Sequence, residues 1–544
     1  MKRIVFSLVF IFASVPAVAQ VPENISIRVD EIFEPWTSID MPGCAVGVAK
    51  DGLTIFERAY GMADLEWKIP NTTGTIFEGG SLAKQFTAAA VVLLALDGKL
   101  TLDDDIRTYI PEVPDYGHTI TIRHLLSHTS GLRDWGRVAE ISGWGRGRRA
   151  HTHADVLDSV SRQTRLNYEP GTMYSYTNTG FNLLAILVDR VSGMSFAEFS
   201  KARIFEPLGL EHTQWRDDYR RIVEGRSSAY NVRGDGTVEI NRPVEDVHGN
   251  GGILTTVGDL LRWNQALSEE RFGPEFRAMM ETPARLNDGS PIRYASGLFV
   301  GDQAGMPAIY HTGSTAGYRA YTGRIPDAGL AWALLCNASN GMNGRTGVGV
   351  LREFLGDMAP LAPTPPQGVA ITEARAHELA GMYRNPLDGQ VVTLTARADG
   401  LYAGQNRLIP LSDTEFALGA TGRTVRFEDV GNGRPRAHQD TWEAIDLVGD
   451  PVEPWQPTPT QLTEFTGTYH SEDAETTYEV RVEEGRLVVW QRPDVTRRLT
   501  PVYQDGFRMG GGMIWFRREG SGRISELSLS VSRVFDMRFQ KLGG

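Results

Sequence analysis

The spacing of hydrophobic positions changes several times along this chain. Residues 40–60, "DMPGCAVGVAKDGLTIFERAY", hold two β-rich runs broken at Lys50-Asp51-Gly52, which predicts a strand pair joined by a tight turn. Residues 81–97 are rich in Ala, Leu and Val and stop at Gly98, the pattern of a helix with a glycine end. From about 120 to 280 helical spacing dominates, as in "FNLLAILVDRVSG" and "GDLLRWNQAL". Residues 308–337, "AIYHTGSTAGYRAYTGRIPDAGLAWALLCN", return to strands. Strands at both ends of a helical middle predict an α+β unit over 20–357, with one mixed sheet and segregated helices.

The Pro-rich run "MAPLAPTPPQGVA", 358–370, reads as a linker. Beyond it the runs are short, alternating and separated by Gly and Asp turns, an all-β pattern. Landmarks recur there in order. Leu379-Ala380-Gly381-Met382-Tyr383 returns as Phe465-Thr466-Gly467-Thr468-Tyr469, and Leu408-x-Pro410 with Phe416 returns as Leu499-x-Pro501 with Phe507. Two similar β modules follow, 371–455 and 456–544, with "VEPWQPTPT" between them.

The first residues bear on compartment. Lys2 and Arg3 precede the apolar "IVFSLVFIFASVPAV", and Ala17-Val18-Ala19 fits a small-x-small cleavage site. This predicts a signal peptide over 1–19 and a periplasmic or secreted protein with no membrane anchor after cleavage. The net charge of −12 argues against a polyanionic partner, so nucleic acid is not expected. The partner expected is a small-molecule or short-peptide substrate, and the sequence leaves oligomeric state open. No nucleotide loop or metal-ligand pattern stands out, so no cofactor is expected.

Ser81-Leu82-Ala83-Lys84 opens the predicted helix. Positions i and i+3 share a helix face, which lets the Lys84 amine lie beside the Ser81 hydroxyl, and the helix N-terminus adds N–H groups and a positive dipole end. A helix cap with a solvated lysine is the alternative for these four residues alone. Two further stretches change the balance: "PGTMYSYTNTGFNLL" with Tyr176-Thr177-Asn178, and "IYHTGSTAGY" with His311-Thr312-Gly313.

S-x-x-K, then Y-x-N, then H-x-G, in that order, resembles the serine β-lactamase and penicillin-recognising superfamily in its class C-like branch. "ITIRHLLSHTSGL" and "GNGGILTTVGDLLRW" look like the same family. The resemblance covers about residues 25–357. It implies a β-lactamase/transpeptidase-like domain whose antiparallel sheet is flanked by helices. It also implies that Ser81 is the acylated nucleophile, that Lys84 lowers the Tyr176 pKa, and that Tyr176 acts as general base. Asn178 would hydrogen-bond the substrate or Lys84. His311 and Gly313 would line the substrate strand, and the N–H groups of Ser81 and Ser314 would form the oxyanion hole. Histidine in place of the lysine found in class C β-lactamases is a weaker anchor for a carboxylate. It favours the esterase and D-aminopeptidase relatives over an efficient β-lactamase. The D-aminopeptidases carry two C-terminal β-barrels, similar to the two modules here, which are expected as small lipocalin-like barrels. A ligand-binding or sensing protein with a weakly active first domain is the alternative from another class.

Other features have rival readings. "HTHAD" (His151, His153, Asp155) imitates a metal motif, but Val156 breaks it, and Thr152-x-x-Asp155 reads as a capping box. His124 and His128 lack the glutamate of H-E-x-x-H, so a structural role is expected. Arg146, Arg148 and Arg149 form either a solvated loop or a clamp for a substrate carboxylate. The resemblance places the strand of Cys44 antiparallel to that of Cys336; the two are expected as neighbours, and their pairing stays open.

Overall fold

The computed structural model describes residues 21–543 apart from 342, 343, 362, 363, 422, 432, 433 and 441–445. The leader expected over 1–19 lies outside the described residues. Within them no helix is long and apolar enough to cross a membrane.

The first unit is built on a six-stranded sheet. Its order is Phe299–Gln303, Met306–Thr315, Tyr318–Ile325, Leu330–Cys336, Cys44–Lys50 and Leu53–Tyr60. Every pairing is antiparallel, as the family resemblance implies and unlike the mixed sheet read from the order of runs alone. Short turns join neighbouring strands, except where the first strand meets the last, and such turns impose antiparallel pairing.

Alternation in Cys44–Lys50 separates two cores. Cys44, Val46 and Val48 pack with Val29, Phe33 and Trp332 on the face covered by the terminal helices Glu23–Phe33 and Gly344–Leu355. Ala45 and Ala49 face the larger helical core. Gly47 lets the helix Val257–Ser268 approach closely, since a Cβ there would lie 3.0 Å from Leu261 Cδ1. Cys44 and Cys336 are register partners with Cα atoms 4.0 Å apart, and they form a disulfide.

The helix expected over 81–97 is Ala83–Leu96, entered through a 3₁₀ turn at Gly80–Leu82. It is buried on nearly every face, which explains why its polar residues, Lys84, Gln85 and Thr87, are confined to its first turns and the rest is apolar. Helices Trp135–Ile141, His153–Ser161 and Asn178–Ser192 belong to the same half of the unit. The capping box read at Thr152 and Asp155 is present.

Two nearly closed nine-stranded antiparallel barrels follow, with strands running from Gly381 to Val452 and from Gly467 to Leu542. Their strand orders are identical in pattern. In each, the two end strands are consecutive in sequence: Asn406–Arg407 and Ile409–Pro410 in the first, Val495–Arg498 and Thr500–Tyr503 in the second. The duplication reaches single hydrogen bonds. The Tyr383 hydroxyl donates to Leu379 O at 2.8 Å, and the Tyr469 hydroxyl donates to Phe465 O at 2.8 Å. Gly381 and Gly467 share φ near +141° and +142°, a region that favours glycine. Each barrel interior is packed with apolar side chains, among them Tyr383, Phe416 and Phe427 in the first, and Tyr469, Phe507 and Phe516 in the second.

The second barrel is docked firmly on the helical half of the first unit. Val138 and Ile141 enter the barrel's apolar core, each worth about 1.5–3 kcal/mol of burial. Arg133 Nη1 pairs with Asp473 Oδ2 at 2.6 Å, with the arginine side chain 1% exposed. Gln491 Nε2 donates to the carbonyls of Glu140 and Ile141, capping the end of their helix.

Candidate active site

The entry to the helix Ala83–Leu96 is held against the sheet by glycines. Gly80 has φ +53°, and a Cβ there would lie 2.7 Å from Ser314 N. A Cβ on Gly313 would lie 1.9 Å from Gly79 O. The segment before Ser81 and the strand Met306–Thr315 therefore touch backbone to backbone, which brings Ser81 beside Ser314. Gly313 lines the cavity, and the space a side chain would need there is occupied by Gly79 O.

Ser81, Tyr176, Asn178, His311, Gly313 and Ser314 line one cavity of about 790 Å³. Lys84 lies beneath it and is fully buried. Its amine has three partners: Ser81 Oγ at 3.3 Å, Asn178 Oδ1 at 3.0 Å and Asn250 O at 2.7 Å. Of the two partners considered for Asn178, the carbonyl oxygen serves Lys84. Asn178 is fixed in turn by Asp134, whose Oδ2 accepts from Asn178 N at 2.7 Å while Oδ1 accepts from Arg137 N at 3.1 Å. One aspartate thus caps a helix and places a site residue.

Burial drives the Lys84 pKa well below its ordinary value, helped by the positive charges of Arg533 and Arg146 and opposed by Asp134. Burial therefore disfavours the charged form of the amine. A neutral amine has two N–H donors and one lone pair, which matches two carbonyl oxygens and one hydroxyl. Burial raises the Tyr176 phenol above its usual value, opposed by a hydrogen bond with Ser81 and by the charge of Arg533. The Lys84 amine lies 4.8 Å from the Tyr176 ring centroid.

His311 is 1% exposed and carries no free ring nitrogen. Tyr294 donates its hydroxyl to Nε2 at 2.9 Å, and Nδ1 lies 2.6 Å from Thr312 O. This network assigns the proton to Nδ1. Burial, with a further contribution from Lys84, pushes its pKa down to about 3. His311 lines the cavity with both ring nitrogens engaged by protein partners.

Sequence reasoning missed several supports. His128, with φ +60°, has its ring centroid 4.2 Å from that of Tyr176, and its Nδ1 accepts from Thr177 N at 3.2 Å. Its structural role was expected; its contact with Tyr176 was not. Asn250 acts through a carbonyl, which side-chain motifs do not report. Arg533 comes from a turn of the second barrel and sets its guanidinium carbon 4.8 Å from the Tyr176 ring centroid.

The other candidates separate. His151 Nε2 lies 2.8 Å from Trp144 O and His153 Nε2 lies 3.0 Å from His248 O, so both rings are engaged by backbone. His124 Nδ1 accepts from Thr121 N in a capping box. Arg146 lines the cavity, but its guanidinium is held by Glu245, and Arg149 pairs with Asp155.

An antiparallel sheet backed by a buried helix that presents a serine and a desolvated lysine defines a serine hydrolase of the β-lactamase fold. The family model described as Beta-lactamase matches residues 29–352, and the chain belongs to that family. Penicillin-binding protein 4* of Bacillus subtilis (strain 168) is 31% identical over 404 residues, 70% of this chain and 88% of that protein. A D-aminopeptidase of Gluconobacter oxydans (strain 621H) is 30% identical over 306 residues, 54% of this chain and 56% of its own length. Among solved structures, the octameric penicillin-binding protein homologue from Pyrococcus abyssi superimposes with a TM-score of 0.54 at 19% identity. It covers 95% of this chain and 99% of its own, a likeness of fold that includes the barrels.

Proposed function

We propose that the protein hydrolyses small amides, esters or short D-amino-acid peptides through an acyl-enzyme on Ser81. The observation that carries this reading is the Lys84 amine, desolvated, 3.3 Å from Ser81 Oγ, with its other partners both carbonyl oxygens. Serine needs an adjacent base, and a neutral amine supplies one. Ser81 Oγ adds to the substrate carbonyl carbon as its proton passes to Lys84. Collapse expels the amine or alcohol, which takes a proton from Tyr176, and Tyr176 recovers one from Lys84. Water then attacks the acyl–Ser81 ester by the same proton path and releases the acid. The N–H groups of Ser81 and Ser314 serve as the oxyanion hole, a role supported by the close packing of Gly80 on Ser314. The D-aminopeptidase relative supports D-configured substrates. Export is part of the proposal; the Cys44–Cys336 disulfide supports an oxidising compartment. The packed barrel interiors weigh against a sensing role based on an apolar ligand held inside them.

The test compares p-nitroaniline release from D-alanine p-nitroanilide with p-nitrophenol release from p-nitrophenyl butyrate. Wild-type turnover of either, lost in a folded Ser81→Ala variant together with the mass increment of the acyl group on intact protein, is the expected result. Unchanged turnover in Ser81→Ala would sink the reading.

A further inference from the structure

The catalytic cavity is lined by four arginines, Arg137, Arg146, Arg319 and Arg533, and by no aspartate or glutamate. Two of the four are neutralised: Arg146 by Glu245 and Arg137 by Glu140. Arg319 donates only to the carbonyls of Ala316 and Tyr318. Arg533 has no carboxylate partner among the described residues; the Tyr176 ring is its contact. The cavity continues into a second one of about 340 Å³, between the helix Trp135–Ile141 and the second barrel, with Arg137, Arg146, Asn178 and Arg533 shared. This extension adds Arg148, Arg492 and Arg497. Its acidic residues are already used, Asp134 on Asn178 and its own helix, Glu140 on Arg137.

Five arginines lining one cleft without a carboxylate partner among the described residues, Arg148, Arg319, Arg492, Arg497 and Arg533, are unexpected for a chain of net charge −12. Like charges gathered without partners repel one another, and a concave wall focuses their field outward onto a ligand. The turn bearing Arg533 is also fixed rather than loose. Arg533 O accepts from Asp134 N at 3.2 Å and Asn167 Nδ2 at 3.0 Å, and Phe535 N donates to Asn167 Oδ1 at 2.8 Å. Arg533 itself adopts φ +69°, a strained conformation for a side-chain-bearing residue. The first unit thus clamps a barrel turn so that a cation stands over Tyr176.

We propose that this arginine-lined cleft, centred on Arg533 and extending to Arg148 and Arg497, binds a carboxylate on the substrate. A substrate with a free ammonium group would find no counter-ion along the cavity, whereas a carboxylate would meet Arg533 directly. The proposal takes its location from the Ser81 reading and narrows the substrates to anionic ones. The carboxylate sits either on the acyl part or on the leaving group, and matched substrates separate these sources.

The experiment uses the full chain and two pairs of compounds. N-succinyl- against N-acetyl-D-alanine p-nitroanilide tests the acyl side; N-acetyl-D-alanyl-D-alanine against its C-terminal amide tests the leaving side. The expected result is a kcat/KM preference of roughly 10–100-fold for the carboxylated member of one pair, the range of a charge-assisted hydrogen bond. Arg533→Gln should erase about tenfold or more of that ratio, Arg533→Lys should restore part, and added salt should shrink it. Ratios near one in both pairs, or a ratio untouched by Arg533→Gln, overturn the proposal. Should Arg533→Gln fail to fold, the exposed Arg497→Gln and Arg148→Gln variants are read in the same way, with a several-fold loss expected. Calorimetric binding of the preferred carboxylate to Ser81→Ala, lost on adding Arg533→Gln, separates this proposal from the catalytic one. Such binding would support the cleft even if Ser81 proved not to be the nucleophile.

Discussion

Arg133 Nη1 lies 2.6 Å from Asp473 Oδ2, and this pair ties the hydrolase unit to the second barrel from a fully buried position. The same guanidinium reaches the carbonyls of Phe535 and Asp536, beside the turn that carries Arg533. Burial pulls the Arg133 pKa down and Asp473 resists it. Removing the carboxylate leaves a cation without water or counter-charge. Asp473→Ala is expected to destabilise the protein by about 3–5 kcal/mol, read as a shift of the urea midpoint. An unchanged midpoint would mean that water reaches Arg133.

The charge of Arg533 is felt by Lys84, whose pKa it helps to lower. If neutral Lys84 is the base, activity is lost as pH falls through that lowered pKa. Taking the charge away in Arg533→Gln relieves Lys84 and raises its pKa. The acid limb of kcat/KM for p-nitrophenyl butyrate should therefore move to higher pH. A limb that stays in place would assign it to another group.

Gly313→Ala should be severe. The new Cβ would meet the carbonyl oxygen of Gly79 at 1.9 Å, and that atom is backbone. The strand and the Ser81 turn must separate, which misplaces the nucleophile against Ser314. A fall in kcat of about 100-fold or more is expected, the scale of a lost oxyanion donor, together with a lower melting temperature. Retention of full kcat would show that the two segments can part without disturbing Ser81.

Cys44 and Cys336 face the core shared with Val29 and Phe33, on the opposite side of the sheet from the helix behind Ser81. Replacing both with serine should cost about 2–5 kcal/mol while leaving kcat within a few-fold below the melting transition. Loss of activity without loss of stability would contradict this placement.

His311 and His248 both have pKa values pushed down to about 3, chiefly by burial. The unfolded chain takes up these protons below about pH 6.5, and the native state does not until near pH 3. Stability is therefore complete above pH 6.5 and falls as pH drops toward 3. Each histidine removes up to about 1.4 kcal/mol per pH unit in that window. Comparing urea unfolding at pH 7 and pH 5 should show a loss of several kcal/mol, since the depressed carboxylates act at lower pH. Equal stability at the two values would mean that these rings titrate normally in the fold.

Local rules carried much of this protein. Ser81 and Lys84 are three apart at a helix entry, so their proximity follows from helix geometry, and Thr152 with Asp155 makes a capping box for the same reason. Alternation and turns announced the strands, and ordered landmarks announced the duplicated barrels. The antiparallel meeting of Cys44 with Cys336 came from family resemblance, and a mixed sheet was read where none exists, because period-2 patterning does not encode strand direction. Only the tertiary structure decided the charges and the far partners. Desolvation lowers the pKa values of Lys84 and His311, and burial is a property of the assembled core rather than of neighbouring letters. Arg533 looked like any turn residue in the sequence. It faces Tyr176 only because a barrel remote in the chain docks on the helix Trp135–Ile141, through contacts that no local pattern encodes.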